Sequence, residues 1–283
     1  HRWRRNQDPD FVSTDDCGTV ARYLPDEKIF VVEGAESNMK LTYKEDTYLL
    51  DKLFQLRSHV QHAQEDCSML QDKVLVVFGG NSGIGKCIIE TARSLGAHTH
   101  SFSRSQTGTD IANRQQVADA LRQVHDAEGR IDYVVNSAAI LSREPLNSMT
   151  EDCIQALIRT NYDGMVHVAI ESFPYLKESQ GQLLLFTSSS YTRGRAFYSL
   201  YSSTKCAAVN FMQALSQEWE PYGIRVNVIN PERTKTPMRT QNFGVEPDDP
   251  LLKPEAVATA SIQTLLSNFT GQVIDVKINR DVS

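Results

Sequence analysis

The feature that most constrains the fold is an alternation of short apolar runs with longer helical patterns, which starts at Asp72 and continues along the rest of the chain. The strands are predicted near 74–78, 98–102, 131–136, 182–187, 225–229 and 273–278. The helical patterns lie near 83–95, 113–127, 150–176, 201–220 and 254–267. Strands that alternate with helices form right-handed βαβ units, so the sequence predicts an α/β fold with a doubly wound, Rossmann-type parallel sheet. Ligands of such sheets bind at the carboxyl ends of the strands.

The composition of the 283-residue chain argues against several classes of partner. Its 29 Lys+Arg and 35 Asp+Glu give a formal net charge of −6, so we expect no nucleic-acid partner. No segment approaches the roughly 18 consecutive apolar residues of a membrane span, and no signal-peptide pattern is visible. We therefore expect a cytoplasmic protein with no membrane partner. Five scattered cysteines predict neither a disulfide framework nor a zinc site, and we expect no bound metal.

We predict two units of unequal size. Residues 1–60 precede the alternating pattern, the polar stretch 61–71 reads as a linker, and residues 72–283 form the larger domain. Because the chain begins at His1 and not at a methionine, we also expect it to be a piece of a longer protein.

The smaller unit carries a weaker structural pattern. Residues 1–26 are polar and predicted to be irregular, whereas 28–33 and 39–43 have the composition of two short strands around a turn. A capping-box pattern of Thr42 with Glu45 then predicts the start of a helix, which the following apolar residues continue at helical spacing.

A glycine-rich turn joins the first predicted strand to the helix that follows it. Glycines in this context let the turn tighten and bring backbone N–H groups and the helix N-terminus close to a pyrophosphate. The alternative is a tight turn with no ligand. The residues predicted to contact a dinucleotide here are Gly79, Asn81, Ser82, Gly83, Ile84 and Gly85.

The second predicted strand is followed by Ser103 and Arg104, where an acidic residue would bind a free ribose 2′-hydroxyl. A cation suits a 2′-phosphate instead, which favours NADP(H) over NAD(H). A solvated surface arginine is the alternative. Asp110 and Ile111 are predicted to border the adenine, although an aspartate before a helix is also an ordinary cap.

Tyr201 and Lys205 form the pattern Tyr-Ser-Ser-Thr-Lys. The spacing places the phenol and the ammonium on one face of a helix, near enough for the cation to lower the pKa of the phenol. A phenol so tuned can pass a proton to or from a carbonyl oxygen, whereas a free tyrosine, with a pKa of roughly 10, is a poor base at neutral pH. Together with the glycine turn, this pair predicts a nicotinamide-dependent oxidoreductase.

In their order along the chain, the motifs of residues 72–283 resemble those of the short-chain dehydrogenase/reductase family. The matching positions are the glycine turn, Asn136 to Ala139, Asn161, the serine-rich strand end, Tyr201 with Lys205, and Asn230 to Thr236. The resemblance implies that Tyr201 is the acid/base, that Lys205 binds the nicotinamide ribose, that a serine holds the substrate carbonyl and that Asn161 orders a water relay. It also implies a homodimer or homotetramer, and cofactor contacts from Asn136, Ala138, Pro231 and Thr236.

The choice of serine stays open on the sequence alone. Counting along the chain selects Ser188, whereas matching the strand ending to that of the family selects Ser189. We favour Ser188. A run of serines at a strand end is also typical of a capped turn.

Three positions depart from the family pattern. Ala139 stands where the family has a glycine, and its methyl group narrows the floor beneath the cofactor. Glu232 follows Pro231 where the family has a glycine, and it puts a charge near the nicotinamide. The last strand ends in 276–279 without the usual Asp-Gly-Gly, which leaves the C-terminal edge and its dimer contacts open.

Clustered cations fall in the two loops that should flank the substrate pocket. They are Arg193, Arg195, Arg233, Lys235 and Arg239. Guanidinium groups match phosphate oxygens, so the cluster favours a phosphorylated substrate, although for any single residue a solvated loop charge is the simpler explanation. We select Arg193, Arg195 and Arg233 as substrate-binding candidates.

Residues 1–60 resemble the closing segment of sugar-phosphate cytidylyltransferases. The likeness rests on Thr14 to Asp16, Val31 to Gly34, Asn38 to Thr42, and Glu45 with Asp46. In that family the lysine that matches Lys40 contacts substrate phosphates. The glycine-rich CTP loop of such domains does not occur in the chain, so we interpret the segment as a remnant.

A cytidylyltransferase ahead of a short-chain reductase is the arrangement of the bifunctional ribitol-5-phosphate cytidylyltransferase/ribulose-5-phosphate reductases, which make CDP-ribitol for capsules or teichoic acids. The resemblance implies NADPH-dependent reduction of a small phosphorylated sugar, with ribulose 5-phosphate as the first substrate to test. Two alternatives remain: a catalytically weak scaffold that positions a transferase, and a reductase of another carbonyl compound.

Overall fold

The chain divides into two compact units, residues 1–55 and 56–283. The computed structural model describes residues 16–30, 32, 41–44, 46, 67–247 and 251–278. Lys40, Glu45, most of the predicted linker and the predicted helix beyond residue 46 lie outside the described residues.

The smaller unit differs from its predicted secondary structure. Residues 16–23 form helix α1 (Asp16–Tyr23), although the sequence predicts an irregular segment, because a helix of eight residues is too short to show a clear period. The described residues of the two predicted strands are irregular, so this prediction is wrong there. Phe30 is 80% exposed and Val32 is 85% exposed, which leaves such a hairpin without the packing that an isolated pair of strands needs.

The larger unit contains a six-stranded parallel sheet, which confirms the predicted fold class. Its strands are β1 (Val74–Phe78), β2 (His98–Phe102), β3 (Tyr133–Asn136), β4 (Gln182–Phe186), β5 (Arg225–Pro231) and β6 (Val273–Val276). They lie in the order β2-β1-β3-β4-β5-β6. The chain reverses its direction of travel across the sheet between β2 and β3, and a doubly wound sheet binds its ligand beside such a switch point.

Helices cover both faces of this sheet. They are α2 (Gly83–Ser94), α3 (Arg114–Glu128), α4 (Glu151–Ile158), α5 (Gly164–Ser179), α6 (Ser199–Trp219), α7 (Pro237–Phe243) and α8 (Pro254–Leu266). Side chains alternate across a strand, so Val76 and Phe78 of β1 join the core under α3, α5 and α6, whereas Leu75 and Val77 join the core under α2 and α8. A sheet buried on both faces needs largely apolar strands. Strands β1, β3 and β4 are buried along their whole length, whereas the edge strand β2 is partly exposed.

One long helix predicted over 150–176 is in fact two helices joined by a π-helical turn, Arg159–Asp163. The carboxamide of Asn161 lies in this turn and binds the backbone of Ile140, accepting from its N–H at 2.9 Å and donating to its carbonyl at 2.9 Å. Such a distant contact cannot be read from helical periodicity. The π turn adds one residue to the helical turn, and its Asn161 side chain contacts the loop after β3.

Helix α7 was also not expected from the sequence, because seven residues are too few for a periodic pattern. Thr236 caps its N-terminus by accepting a hydrogen bond from the N–H of Arg239 at 3.2 Å, and Pro237 occupies the first turn, where a proline is tolerated. The helix follows β5 and stands at the carboxyl edge of the sheet. It thus places the side chain of Arg239 near that edge.

A buried carboxylate joins the amino ends of β1 and β3. Asp132 is only 3% exposed, and it accepts hydrogen bonds from the N–H of Val74 at 2.9 Å and from Nε of Arg130 at 2.9 Å. Lys73 lies 3.5 Å away. The charge of Asp132 is therefore matched by two cations and a backbone donor.

We expect Asp132→Ala to lower the free energy of unfolding of the larger unit by about 2–4 kcal/mol, because it leaves buried donors without an acceptor. Asp119→Ala, which removes the exposed partner of Arg122, should cost less than about 1 kcal/mol. Denaturant titration followed by the fluorescence of the buried Trp219 measures both. Equal losses in the two variants would contradict the role given to Asp132.

Candidate active site

The carboxyl ends of β1, β3, β4 and β5 open into a cleft of about 860 Å³. Most of the residues selected from the sequence line it together: Gly79, Asn81, Ser82, Gly83, Ile84, Gly85, Ser103, Arg104, Asp110, Ile111, Ala138, Ser188, Ser189, Tyr201, Lys205, Pro231, Arg233 and Thr236. The glycine turn, the cation after β2 and the tyrosine–lysine pair therefore face one cavity.

Four selected residues are not part of this lining. Asn136 is buried and accepts a hydrogen bond from the N–H of Ala138, while Asn161 holds the loop at Ile140. Arg193 and Arg195 are exposed in the loop before α6. The two asparagines hold backbone segments next to the cleft without lining it themselves. The structure does not bring the two arginines into the cleft.

The glycine turn has the shape of a phosphate cradle. Gly79 has a φ of +85°, and a Cβ atom there would lie 2.6 Å from the backbone nitrogen of Ala138. A Cβ on Gly85 would lie 2.3 Å from the carbonyl oxygen of Gly79. Ser82, which precedes α2, makes no side-chain capping bond, so the N–H groups of the first turn are available to an anion. These features fit the pyrophosphate of a dinucleotide.

A compact turn follows β2 on the other side of the cradle. The carbonyl of Ser103 accepts from the N–H groups of Thr107 and Thr109, at 3.0 and 3.2 Å, and Asn81 donates to Ser105 at 2.5 Å. Arg104 is exposed on this turn and lines the cleft. The glycine turn and the turn after β2 are thus joined by a hydrogen bond.

Asp110 does not cap the helix that follows it. Asn113 is the N-cap of α3, and its side chain accepts from the N–H groups of Gln115 and Gln116. The carboxylate of Asp110 accepts from the N–H of Ala112 instead, at 3.0 Å. Its place in the lining is consistent with the predicted adenine border.

Tyr201, Lys205 and Ser188 meet at the inner end of the cleft. Lys205 is buried in α6, donates from Nζ to the carbonyl of Phe186 at 3.0 Å, and lies 5.6 Å from the centre of the Tyr201 ring. Ser188 follows β4 and is hydrogen-bonded to Tyr201, and its Oγ also accepts from the Oγ of Ser190 at 3.3 Å. This contact supports Ser188 over Ser189 as the serine beside the phenol.

The pKa of the phenol moves in the opposite direction from the one expected. Burial raises the pKa of Tyr201 to about 12, and the hydrogen bond with Ser188 only partly opposes that rise. Burial also lowers the pKa of Lys205 to about 8. The ammonium points to the carbonyl of Phe186 and over the face of the ring, so desolvation of the phenol outweighs the attraction that the i, i+4 spacing predicts.

The depressed pKa of Lys205 predicts a pH-dependent stability. Its pKa is 10.5 when unfolded and about 8 when folded, so between these values the unfolded state binds more protons and the stability rises with pH. Relative to Lys205→Met, the unfolding free energy of the unmodified protein should increase by about 2 kcal/mol from pH 7 to pH 9.5. Denaturant titration at both pH values measures the change. A constant difference would show that the ammonium keeps its charge in the fold.

Two departures from the family pattern now have a structural description. Oε2 of Glu232 accepts a hydrogen bond from the N–H of Ile278 at 3.0 Å, so this carboxylate binds the segment after β6. Ala139 lines the cleft beside Ala138, where its methyl group forms part of the floor. Neither residue closes the cavity.

Several residues of the lining were missed by motif analysis. Tyr198 and Phe243 bring two aromatic rings into the cleft, and Glu246 brings a carboxylate. The i, i+4 spacing of Arg239 and Phe243 was the available signal, since it places the two side chains on one face of a helix. Loop positions such as Glu246 carry no comparable signal.

The comparison with protein families decides which family these features represent. The family model described as short chain dehydrogenase matches residues 73–246. The chain belongs to the short-chain dehydrogenase family. The members of this family are oxidoreductases that use a nicotinamide dinucleotide, and the cradle at Gly79 and Gly85 fits that cofactor.

The sequence relatives of the chain include a bifunctional enzyme. The chain is 46% identical to the bifunctional ribulose 5-phosphate reductase/CDP-ribitol pyrophosphorylase Bcs1 of Haemophilus influenzae. The alignment extends over 267 residues and covers 93% of the chain and 56% of that protein. The chain thus spans about half the length of this relative. A chloroplastic tropinone reductase homolog of Arabidopsis thaliana is 28% identical over 235 residues, covering 71% of the chain and 73% of that protein.

Solved structures of short-chain reductases share the fold. The 3-ketoacyl-(acyl-carrier-protein) reductase of Brucella melitensis, complexed with NADH, matches with a TM-score of 0.69 at 24% identity over 75% of this chain and all of that one. A short chain dehydrogenase of Burkholderia cenocepacia, in complex with NADP, matches with a TM-score of 0.68 at 24% identity over 74% of this chain and 97% of that one.

The described part of the chain shows neither a membrane-spanning helix nor a cluster of metal ligands. No helix within the described ranges combines the length and the hydrophobicity that crossing a bilayer requires. In the same part of the chain, no group of three or more His, Cys, Asp or Glu side chains could hold a metal ion.

Proposed function

We propose that this short-chain dehydrogenase reduces D-ribulose 5-phosphate to D-ribitol 5-phosphate with NADPH, and that the product feeds CDP-ribitol synthesis for a capsule or teichoic acid. The observation that carries the proposal is the meeting of Tyr201, Lys205 and Ser188 in a cleft that also contains arginines. The 46% identity to a protein named as a ribulose 5-phosphate reductase supports the choice of substrate. Because the chain spans 56% of that protein, nucleotidyl transfer by this chain is not part of the proposal.

The chain's own residues suit the proton side of this reaction. A bound nicotinamide would supply the hydride to the ketone carbon. The hydroxyl of Tyr201 is protonated at neutral pH, because its pKa is about 12, and it can donate that proton to the carbonyl oxygen as negative charge develops there. In this proposal Ser188, which is hydrogen-bonded to Tyr201, holds the same oxygen. Lys205 stands beside the phenol ring and offers its charge to the cofactor ribose or to the ionised phenol.

Asn161 has a supporting part in this scheme. Its carboxamide is bound to the backbone of Ile140, and Nδ2 lies 3.4 Å from the hydroxyl of Thr204, one residue before Lys205. It joins the loop after β3 to the helix that carries the tyrosine and the lysine. We therefore propose Asn161 as a positioning residue for this helix.

The proposal includes a homodimer or homotetramer. Tyr162 and Ile170 are large apolar side chains that are each more than 40% exposed on the helical surface of the domain. Exposed apolar side chains of this kind offer a contact surface to a second copy.

We expect Tyr201→Phe to lower kcat for the NADPH-dependent reduction of ribulose 5-phosphate by about 10²- to 10⁴-fold, because the proton donor is lost. NADPH binding, measured by fluorescence titration, should persist. The matched control is Tyr175→Phe, which removes a hydroxyl from α5 outside the cleft and should keep full activity. Turnover that survives in Tyr201→Phe would remove the mechanism, and NADPH binding without turnover in the unmodified protein would favour the scaffold alternative.

The proposed preference for NADPH rests on Arg104, an exposed cation that lines the cleft on the turn after β2. We expect Arg104→Gln to raise KM for NADPH by about 10- to 100-fold, because a charge-assisted contact with the 2′-phosphate is lost. KM for NADH, which has no 2′-phosphate, should change by less than about threefold and serves as the control. Equal changes for both cofactors would assign Arg104 to general phosphate attraction.

A further inference from the structure

Arg239 is a firmly held cation of the cleft. Its backbone lies in the first turn of α7, and its guanidinium carbon lies 4.6 Å from the centre of the Phe243 ring. The guanidinium of Arg143 lies 5.1 Å from the centre of the same ring. The side chain of Arg239 is only 18% exposed. Stacking on an aromatic ring fixes the plane of a guanidinium, which prepares it for an oxyanion.

A carboxylate from the same chain already occupies the fork of Arg239. Nη2 donates to Oε1 of Glu246 at 2.9 Å, and Nε lies 2.6 Å from Oε2 without the alignment of a hydrogen bond. Glu246 follows α7 after Gly244, and both members of the pair line the same cleft as Tyr201. The carboxylate thus makes one aligned hydrogen bond to this guanidinium and one close contact beside it.

A second cation lines the same cleft as this carboxylate. Arg239 and then Arg233 hold the pKa of Glu246 below its ordinary value. Arg233 also lines the cleft. Glu232, the neighbouring acid, accepts from the N–H of Ile278 and is thus engaged elsewhere. Arg239 pairs directly with Glu246 and Arg233 lies in the same cleft, so a phosphate dianion would match the charge of the two guanidinium groups better than one carboxylate does.

The position of this cluster suits a ligand that carries its anion away from its ketone. The ring of Tyr198 lies 6.4 Å from the ring of Tyr201 and 6.0 Å from the ring of Phe243, so an aromatic wall separates the phenol from Arg239. In a ketose phosphate the ketone and the phosphate stand near opposite ends of the sugar chain. The phenol and the arginine fork can each meet one of these ends.

We propose that the substrate's phosphate takes the place of the Glu246 carboxylate at Arg239 and Arg233, so that Glu246 is a built-in competitor that sets the requirement for a phosphorylated substrate. This inference rests on the proposed function for the identity of the substrate. An unphosphorylated ketose cannot exchange with the carboxylate, so it gains nothing from the two arginines. A phosphorylated one exchanges one oxyanion for another of higher charge.

The first test compares ribulose 5-phosphate with ribulose at saturating NADPH. Arg239→Gln should raise KM for ribulose 5-phosphate by about 10- to 100-fold and leave kcat/KM for ribulose unchanged. Arg239→Lys, which keeps the charge but loses the fork, should give an intermediate KM. Glu246→Gln should lower KM for ribulose 5-phosphate by about 3- to 10-fold, because the competitor loses its charge. Arg122→Gln, which removes an exposed cation from α3, is the matched control and should change the kinetic constants for neither substrate.

The sign of the Glu246→Gln effect decides the matter. A higher KM in this variant, in parallel with Arg239→Gln, would show that Glu246 only positions the arginine, and the inference would be overturned. An equal loss for ribulose and ribulose 5-phosphate in both Arg239 variants would also overturn it. Denaturant titration of each variant shows whether a loss comes from unfolding.

A second measurement separates this inference from the proposed function. If the unmodified protein does not reduce ribulose 5-phosphate, the proposed function fails, but the anion site can still be tested with inorganic phosphate. Calorimetric titration of the NADPH-saturated protein should show phosphate binding that is tighter in Glu246→Gln and weaker by about tenfold or more in Arg239→Gln. Equal phosphate affinity in all three proteins would overturn the inference independently of any turnover.

Discussion

The cleft depends on one close approach between two backbone segments. The end of β1 passes so near to the chain that leaves β3 that a Cβ atom on Gly79 would lie 2.6 Å from the nitrogen of Ala138. Ser137 reinforces the approach, because its N–H and its hydroxyl both donate to the carbonyl of Phe78, at 2.9 and 3.0 Å. This contact exists only because β1 and β3 are neighbours in the sheet, with Phe78 opposite Asn136. The switch point thus brings the glycine turn after β1 into contact with the segment after β3 that forms the floor of the cleft.

The parts of the fold that the sequence predicts are those with a repeated, local signal. Strands buried on both faces are largely apolar, whereas the edge strand β2 is polar. No observed strand bound of the larger unit differs from its prediction by more than two residues. The π turn at Asn161 had no such signal, because a contact with the distant Ile140 interrupts an otherwise helical pattern. The strands predicted in the smaller unit do not form in its described residues for a related reason. A strand is stable only when it pairs with another strand and packs against a core, and the local sequence pattern shows neither.

The same distinction holds within the site. Residues on one element with a fixed spacing, such as Tyr201 and Lys205, could be placed together from the sequence. Loop cations could not, because proximity in sequence does not say where a loop side chain points: Arg193 and Arg195 stay outside the lining, whereas Arg239 reaches it from a helix that was not predicted. The pKa of the phenol was misjudged because spacing gives the distance between two charges but not the burial that opposes ionisation.

The direction of that pKa bears on what the site is prepared to do. Lys205 finds its acceptor in the carbonyl of Phe186 at the carboxyl end of β4, and the hydroxyl of Thr187 binds the carbonyl of Lys205 at 2.6 Å, so strand and helix hold each other. The ammonium is therefore satisfied by the backbone, and Tyr201 keeps its proton, since its pKa is about 12. A protonated phenol can donate to a carbonyl oxygen but cannot accept a proton from an alcohol. At rest the phenol is thus a proton donor, which is the role that the reduction of a carbonyl requires of it.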